Sequence, residues 1–452
     1  MNLLRWERPL GIRVGFTLPA LVALLPVLCA LPGRAWAQEV VVATVNNGHM
    51  LTLQKLTPHF EQAHPGVRIR WVTLEEDLLR QQVTRDVATK AGRFDVLTVG
   101  GYEAQVWSGR GWLRPLKPSA AYQVDDLLPP IRQALTHQGQ LYALPFYGES
   151  TMTLVRRDLL KQAGIQLPAQ PTWEQVAQAA RKLHDPEKGQ YGICLRGKPG
   201  WGQNLSLLTT IANTHGGQWF DMKWRPQLQS TAWRQALALY ASLLREAGPP
   251  GAVANGYNEN LALFSAGRCA IWVDATVAGA FVNRPAESQV VDRVAFLQAP
   301  VASTPKGARW LWSWSLAIPT GSRQPAAAQA FIEWATSREY TELVARDVGW
   351  HAVPGGTRRS TYAAPPFRRA NPHAEVELQA ILSADQDHPT LPPSPYVGIQ
   401  WVGIPEFQAI GTAVAQEVAR VLAPRPPSID EVLSRAQKLT ERKVREAGYI
   451  KR

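Results

Sequence analysis

Three tryptophans alternate within one short segment of the chain, at positions 310, 312 and 314. Because successive side chains of a β-strand point to opposite faces, Trp310, Trp312 and Trp314 would share one face of a strand. Three aligned indoles either pack in a core or form a stacking surface for a ligand with C–H faces and hydroxyl edges, such as a sugar or a polyol. The residues near other strand ends decide between these two interpretations.

The usual signatures of enzymes are missing from the sequence. It has no Gly-x-Ser-x-Gly, His-Glu-x-x-His or Gly-x-Gly-x-x-Gly motif. The segment from Gly192 to Lys198 approaches a phosphate-binding loop, but Pro199 stands where that loop needs Ser or Thr. The nine histidines are scattered, without the i, i+4 pairs that metal sites favour. We therefore expect no catalytic residue, no cofactor and no metal site.

Polar and aromatic side chains instead follow the ends of predicted strands. Strands are expected at 40–45, 94–99, 191–195 and 269–273, and in open α/β sheets ligands lie outside the carboxyl ends of the strands. Indoles can cover the C–H faces of a polyol, while carboxylates, amides and a guanidinium bind its hydroxyls. The residues expected to bind such a ligand are Asn46, Asn47, His49, Tyr102, Tyr147, Glu149, Arg196, Trp201, Asn204, Trp272, Asp274, Trp312, Trp314 and Trp350.

Two kinds of contact are expected from these candidates. Stacking is assigned to Trp201, Trp272, Trp312 and Trp314, and hydrogen bonding to Glu149, Arg196, Asn204 and Asp274. Asp274 also fits a structural cap, but it shares a strand face with Trp272 at period two, which favours a hydroxyl acceptor. Trp350 fits a core position as well as it fits a ligand contact.

The order of the predicted elements defines the fold class. Residues 40–99 follow the pattern strand, helix, strand, helix, strand, with 46–49 as a polar loop. A second series of strands and helices begins after Tyr147, and the last third is expected to be helical at 326–348, irregular at 354–405, and helical again from Phe407 and Ile429. The sequence therefore predicts an α/β protein of two lobes, each a mainly parallel sheet flanked by helices, with a ligand cleft between them.

The first 37 residues have the pattern of a secretory signal. Three arginines precede an apolar run at 16–31, and Ala35 and Ala37 form a small-x-small cleavage site. Cleavage after Ala37 would release a periplasmic chain of 415 residues, which exceeds one hydrophobic core. We expect lobe 1 at 38–147 and 316–355, and lobe 2 at 148–315 and 356–452.

The distribution of charge and the cysteines limit which partners and covalent links are expected. The 44 basic and 35 acidic residues after position 37 are dispersed, which favours a solvated surface over a nucleic-acid site. No later apolar run reaches the ~20 residues of a membrane span. Cys194 and Cys269 are the two cysteines after position 37, and their pairing is left open by the sequence.

Several segments resemble those of a known family. They are ATVNNG at 43–48, FDVLTVG at 94–100, LYALPFYGES at 141–150, YGICLRG at 191–197, GYNENLALF at 256–264, WVDAT at 272–276 and IPEFQAIG at 404–411. The chain resembles the extracellular solute-binding proteins of ABC-type carbohydrate importers. Within them it is similar to the branch that binds sorbitol and mannitol.

The resemblance implies two lobes that close on one small neutral polyol or sugar, joined by crossings near 147–150 and 312–316 and after Trp350. It implies the permease and ATPase subunits of an importer as partners of a monomeric receptor. One departure is His49, where the branch commonly has an acid. Two rival functions remain: a secreted carbohydrate hydrolase using Glu149 and Asp274 as its pair of carboxyl groups, or a receptor for another solute such as a polyamine, which Arg196 disfavours.

Overall fold

The computed structural model describes residues 38–450, so the predicted signal segment lies outside the described residues. Its strands are β1 (Gln38–Val45), β2 (Val67–Leu74), β3 (Val96–Val99), β4 (Thr136–His137), β5 (Gln140–Leu141), β6 (Ala143–Glu149), β7 (Thr151–Arg156), β8 (Tyr191–Cys194), β9 (Cys269–Ala275), β10 (Val294–Gln298) and β11 (Trp312–Ala317). Strands β4 and β5 form a small hairpin. The other strands form two sheets.

The helices surround these sheets. They are α1 (Gly48–Ala63), α2 (Glu76–Thr89), α3 (Gly101–Gly109), α4 (Pro129–Ala134), α5 (Arg157–Gln162), α6 (Trp173–Lys182), α7 (Asn204–Thr214), α8 (Thr231–Glu246), α9 (Tyr257–Ser265), α10 (Ala278–Val282), α11 (Pro325–Ala335), α12 (Arg338–Asp347), α13 (Arg359–Ala363), α14 (Pro365–Ala370), α15 (Ala374–Leu382), α16 (Phe407–Ala419) and α17 (Ile429–Glu446). No helix among residues 38–450 has both the length and the apolar character needed to cross a bilayer.

The first sheet has five strands in the order β2-β1-β3-β11-β6. Strand β1 pairs in parallel with β2 and with β3, and its apolar residues Val40, Val42 and Ala43 are fully buried. This is the predicted β-α-β-α-β unit, in which helices on the faces of the sheet bury its central strand on both sides. Strand β11 then pairs antiparallel with both β3 and β6.

The second sheet has four strands in the order β10-β7-β9-β8. Strands β8 and β9 are parallel, whereas β7 is antiparallel to β9 and to β10. A disulfide joins Cys194 to Cys269 across the β8–β9 pair, with their Cα atoms 5.9 Å apart. The structure therefore answers the question of cysteine pairing that the sequence left open.

The predicted α/β fold of two sheets flanked by helices is confirmed, with one correction. The sheets are mixed rather than mainly parallel, because β6 passes straight into β7 through Ser150 and β11 returns to the first sheet against the direction of β3. Such direct crossings need no covering helix, unlike parallel connections. The whole of β11 lies in the first sheet, while α16 and α17 pack against α7 and α8. The lobe boundaries given above stay a prediction.

Some local predictions need correction as well. Helix α1 begins at Gly48 inside the expected polar loop, because the Asn47 side chain caps it by accepting from the Met50 amide at 3.0 Å. The region 326–348 contains two helices, and the expected irregular region contains α13, α14 and α15. Strand β10 was not predicted; its residues are mostly half-buried, so it lacks the apolar run of the central strands.

Candidate functional site

A cavity that opens to solvent at its mouth lies between the two sheets. Clefts lined by aromatic and polar side chains are the usual form of small-molecule sites. Eight predicted site residues line it: Asn46, Asn47, Tyr147, Glu149, Arg196, Trp201, Trp312 and Trp314. Further lining residues are Val45, Glu75, Glu76, Arg80, Lys198, Gly202, Gln203, Ser206, Gly256, Tyr257, Asn258, Glu259, Val277, Trp310 and Gln400.

One wall of the cavity is aromatic. Trp310, Trp312 and Trp314 all line it, so the alternation in the sequence places three indoles on one surface. Trp201 meets Trp312 edge-to-face with ring centroids 5.8 Å apart, and Trp312 meets Trp314 in the same manner at 5.5 Å. Gly100 makes room for this wall, because a Cβ atom there would lie 2.0 Å from the indole of Trp312. A single side-chain methyl would therefore displace the ring.

Arg80 is a buried cation inside this wall that the sequence analysis missed. Its guanidinium carbon lies 4.1 Å from the ring centroid of Trp201, 4.9 Å from Trp312 and 5.1 Å from Trp314. These distances are within the range of cation–π attraction. Arg80 belongs to α2, whereas Trp201 lies beside the second sheet, so the contact joins the two sides of the cavity.

The charge of Arg80 is matched by two carboxylates. Its guanidinium donates to Glu76 at 3.1 Å and also to Glu103. Burial alone would lower the pKa of Arg80, but the charges of Glu103 and Glu76 raise it above its usual value. The i, i+4 spacing of Glu76 and Arg80, which places both on one helix face, was the signal for this pair.

Arg196 lines the cavity because an ion pair behind it holds it in place. The guanidinium donates to both carboxylate oxygens of Asp274, with distances of 2.6, 3.0 and 3.1 Å. Asp274 is fully buried and also accepts from the Trp272 indole at 3.0 Å and the Ala275 amide at 2.7 Å. Burial alone would lower the pKa of Arg196, but Asp274 raises it above its usual value. Arg196 therefore stays charged.

This arrangement corrects the expectations for Trp272 and Asp274. Neither side chain lines the cavity, and both are fully buried behind Arg196. The carboxylate of Asp274 is occupied by Arg196, since a buried charge needs a partner. Trp272 packs in the interior of the second sheet, between Tyr257 and Phe264. From behind the cavity wall, Asp274 holds Arg196 in place and Trp272 donates to Asp274.

Asn204 and Tyr102 also lie outside the cavity and support Trp201. Asn204 is fully buried; its Nδ2 donates to the Ala415 carbonyl at 3.1 Å and its Oδ1 accepts from the Gly200 amide at 3.2 Å. These bonds fix the loop that carries Trp201. Tyr102 packs its ring edge-to-face on Trp201 at 5.3 Å, and its hydroxyl faces the Ile404 carbonyl at 3.2 Å. Asn204 and Tyr102, which were expected to bind the ligand, therefore contact Trp201 and its loop from outside the cavity.

His49 and Trp350 lie apart from the cavity. His49 is buried between the rings of Tyr147 and Phe281, each 5.1 Å away, and lines a separate small pocket. Burial lowers the pKa of His49 to about 3, so the ring is neutral at pH 7. Trp350 is half-buried in a short 3-10 turn, where its carbonyl accepts from Asn371.

Glu149 is the most isolated carboxyl group of the cavity. It stands at the end of β6 with 7% of its surface exposed, and within residues 38–450 no side chain or amide donates a hydrogen bond to its carboxyl. Burial raises the pKa of Glu149 to about 8. Nearby, the Asn47 amide donates to the Tyr147 hydroxyl at 3.0 Å, which orients two further polar groups toward the cavity.

Comparison with known proteins identifies the family of this chain. The family model of the bacterial extracellular solute-binding proteins matches residues 44–342. The chain belongs to this family. It is 51% identical to a mannitol-binding protein of Pseudomonas aeruginosa, over 92% of this chain and 95% of that protein. It is also 51% identical to a solute-binding protein of Agrobacterium vitis whose crystal structure contains D-mannitol, with a TM-score of 0.90 over 92% of this chain and 100% of the other.

A solute-binding protein of Agrobacterium radiobacter in complex with ribitol has the same fold, with a TM-score of 0.79 at 24% identity over 89% of this chain and 98% of that one.

Two contacts of the present chain cross the mouth of its cavity. Lys198 pairs with Glu75 at 2.5 Å, and Gln203 donates to Glu76 at 3.2 Å. Helix α2 and the loop before α7 therefore touch each other over the cavity.

Several residues that line the cavity were not predicted from the sequence as site residues. They are Glu75, Glu76, Arg80, Lys198, Gln203, Ser206, Tyr257, Asn258, Glu259 and Gln400. Tyr257, Asn258 and Glu259 stand in one of the segments that carried the family resemblance, which was the available signal. Gln400 comes from the expected irregular region, where no strand end marks a site.

Proposed function

We propose that this protein is the receptor for a sugar alcohol, with mannitol as the first candidate, and that it delivers this ligand to the permease of an ABC importer. The observation that carries the proposal is the cavity in which an indole wall faces amide, phenol, carboxyl and guanidinium groups from both sheets. Indoles cover C–H faces, and the polar groups match hydroxyls that would otherwise lose their hydrogen bonds on burial. The mannitol-binding protein of Pseudomonas aeruginosa and the Agrobacterium vitis protein with bound D-mannitol, each 51% identical to this chain, support the same ligand class.

The ligand contacts in this proposal come from the residues that line the cavity. Trp201, Trp312 and Trp314 stack on the carbon chain, and Asn46, Asn47, Tyr147, Glu149 and Arg196 bind hydroxyls. Trp272, Asp274, Asn204 and Tyr102 act through these groups. His49 and Trp350 have no part in the proposed contacts.

We further propose that cleavage after Ala37 releases the protein as a periplasmic monomer without catalytic activity. The hydrolase hypothesis required Glu149 and Asp274 to face each other across a substrate. Asp274 is instead fully buried and hydrogen-bonded to Arg196, so this pair is not arranged for hydrolysis. Ligand binding would favour the closed form that the permease recognises, by a shift in population between two states.

Isothermal titration with mannitol, sorbitol, arabitol, maltose and spermidine tests the proposed ligand class. We expect mannitol to bind with a dissociation constant near micromolar, about −8 kcal/mol, and the other alditols to bind more weakly. Maltose and spermidine should give no heat of binding. Binding of maltose or spermidine, with no response to any alditol, would contradict the proposal.

The contact between Glu75 and Lys198 should contribute little to affinity. Both side chains are partly exposed, at 50% and 30%, and exposed ion pairs contribute about 0.2–1 kcal/mol. We expect Lys198→Ala to weaken mannitol binding about two- to fivefold at low salt, and less at high salt. The matched control is Lys188→Ala, whose partner Asp185 lies on the surface away from the cavity and whose loss should leave affinity unchanged.

A further inference from the structure

Glu149 provides an acceptor that no group of the described chain uses. Its side chain is buried to more than nine-tenths, lines the cavity, and has no hydrogen-bond or ion-pair partner within residues 38–450. A buried carboxyl group without a partner is costly unless it is neutral or a ligand supplies the partner. Because this group lies inside the ligand cavity, a bound ligand can supply the partner that the ionised form needs.

The cations of the cavity are already paired with other acids. Arg80 contacts Glu76 and Glu103, Arg196 contacts Asp274, and Lys198 contacts Glu75. From the sequence alone, the positive charge of Arg196 disfavours a cationic ligand. Because Asp274 matches the charge of Arg196 with three hydrogen bonds, that objection no longer holds.

The acidic side chains around the cavity outnumber the basic ones. Three cations, Arg80, Arg196 and Lys198, stand against five acids that line the cavity or pair with these cations: Glu75, Glu76, Glu103, Glu259 and Asp274. Glu149 adds to this negative charge when it is ionised. Glu259 accepts from the Gly256 amide at 2.8 Å, and no lysine or arginine among residues 38–450 forms an ion pair with it. Walls of low dielectric concentrate this excess of negative charge inside the cavity.

We propose that the cavity also accepts an amino-alditol, a sugar alcohol with one primary ammonium group, and that the ammonium pairs with Glu149. This inference rests on the proposed function, because the hydroxyls of the amino-alditol would use the same contacts as those of an alditol. An ammonium in place of one terminal hydroxyl adds a donor and a charge with little change in size. The indole faces of the wall also attract a cation.

The pH dependence of binding follows from the surroundings of Glu149. Charged and titratable groups that act on it are Arg196, Asp274, Glu76, Glu377, Tyr147 and Tyr257. Burial raises the pKa of Glu149 to about 8, so below that pH the group is mostly protonated. An ammonium ligand requires the ionised form, and binding must release a proton. Its affinity should therefore rise with pH until Glu149 is ionised, by at most about tenfold per pH unit.

The test uses three probes of one carbon skeleton: D-mannitol, 1-amino-1-deoxy-D-mannitol and its N-acetyl derivative. Titration calorimetry at pH 6, 7 and 8 in two buffers of different ionisation enthalpy measures both affinity and proton release. We expect the affinity of the amino-alditol to rise at least fivefold between pH 6 and 7, with proton release. Mannitol affinity should not rise. The N-acetyl derivative, which has no charge, should bind at least tenfold more weakly than the amino-alditol at pH 8.

Glu149→Gln should remove this preference for the cation. We expect the ratio of amino-alditol affinity to mannitol affinity at pH 8 to fall at least tenfold and the proton release to vanish. In the matched control Glu246→Gln, which changes an exposed acid that does not line the cavity, the ratio should change less than threefold. Thermal unfolding followed by circular dichroism verifies that both variants are folded.

The outcomes separate this inference from the proposed function. If mannitol binds and the amino-alditol does not, the inference is overturned and the alditol receptor stands. An equal fall of the affinity ratio in both variants would also overturn the inference, because the effect would then be a general one of negative charge. If neither probe binds, the proposed function itself fails.

Discussion

Asp274→Ala is expected to lower the free energy of unfolding by about 3–5 kcal/mol and to reduce mannitol binding below detection. The substitution leaves the Arg196 guanidinium buried without its partner, and it also removes the acceptor of the Trp272 indole and the Ala275 amide. Arg196 would then have to turn toward solvent and leave its place in the cavity wall. Urea denaturation and titration calorimetry with mannitol measure the two effects.

Two further variants separate the causes of this effect. Asp274→Asn keeps the size of the side chain but removes its charge, so we expect a smaller loss of stability than with Ala and weakened rather than absent binding. Asp430→Ala is the surface control, because Asp430 is 72% exposed in its pair with Arg234. This substitution should lower the free energy of unfolding by less than about 1 kcal/mol and leave mannitol binding unchanged. Equal losses in Asp274→Ala and Asp430→Ala would mean that burial of the Arg196 pair has no special role.

Asp274 also illustrates what the sequence could and could not predict. Strand period two correctly places Trp272 and Asp274 on one face of β9, where the indole donates to the carboxylate. Periodicity states which residues share a face, but it does not state whether that face points toward the cavity or into the lobe. That choice depends on the neighbouring strand β8, which brings Arg196 beside Asp274 from 78 residues away in sequence.

Strand periodicity also predicts the aromatic wall. Trp310, Trp312 and Trp314 lie within five residues of sequence, so alternation alone places them together. Arg80 lies on α2 and Trp201 lies in the loop before α7, so their contact depends on how the two halves of the molecule pack. No local sequence pattern predicts the contact between Arg80 and Trp201. The three indoles could therefore be predicted from the sequence, whereas the cation beside them could not.

Trp312→Ala is expected to weaken mannitol binding at least about 100-fold, which corresponds to about 2.7 kcal/mol. Trp312 lies at the centre of the wall, between Trp201 and Trp314, and its ring is one of three that contact Arg80. Its removal takes away a stacking surface and frees its neighbours to move, since an aromatic pair contributes about 0.5–1.5 kcal/mol beyond buried area. Trp312→Phe retains a smaller ring and should lose about tenfold.

The control for Trp312→Ala must lower the free energy of unfolding by a similar amount without changing the cavity. Trp233→Ala meets this need, because Trp233 is fully buried on α8 and does not line the cavity. Both substitutions should lower the free energy of unfolding by about 3–5 kcal/mol, as is usual for large-to-small changes in a core. Calorimetry at a temperature where both variants are folded should then find mannitol binding lost in Trp312→Ala and retained in Trp233→Ala. Retention of full affinity in Trp312→Ala would exclude the indole wall as the surface on which the ligand lies.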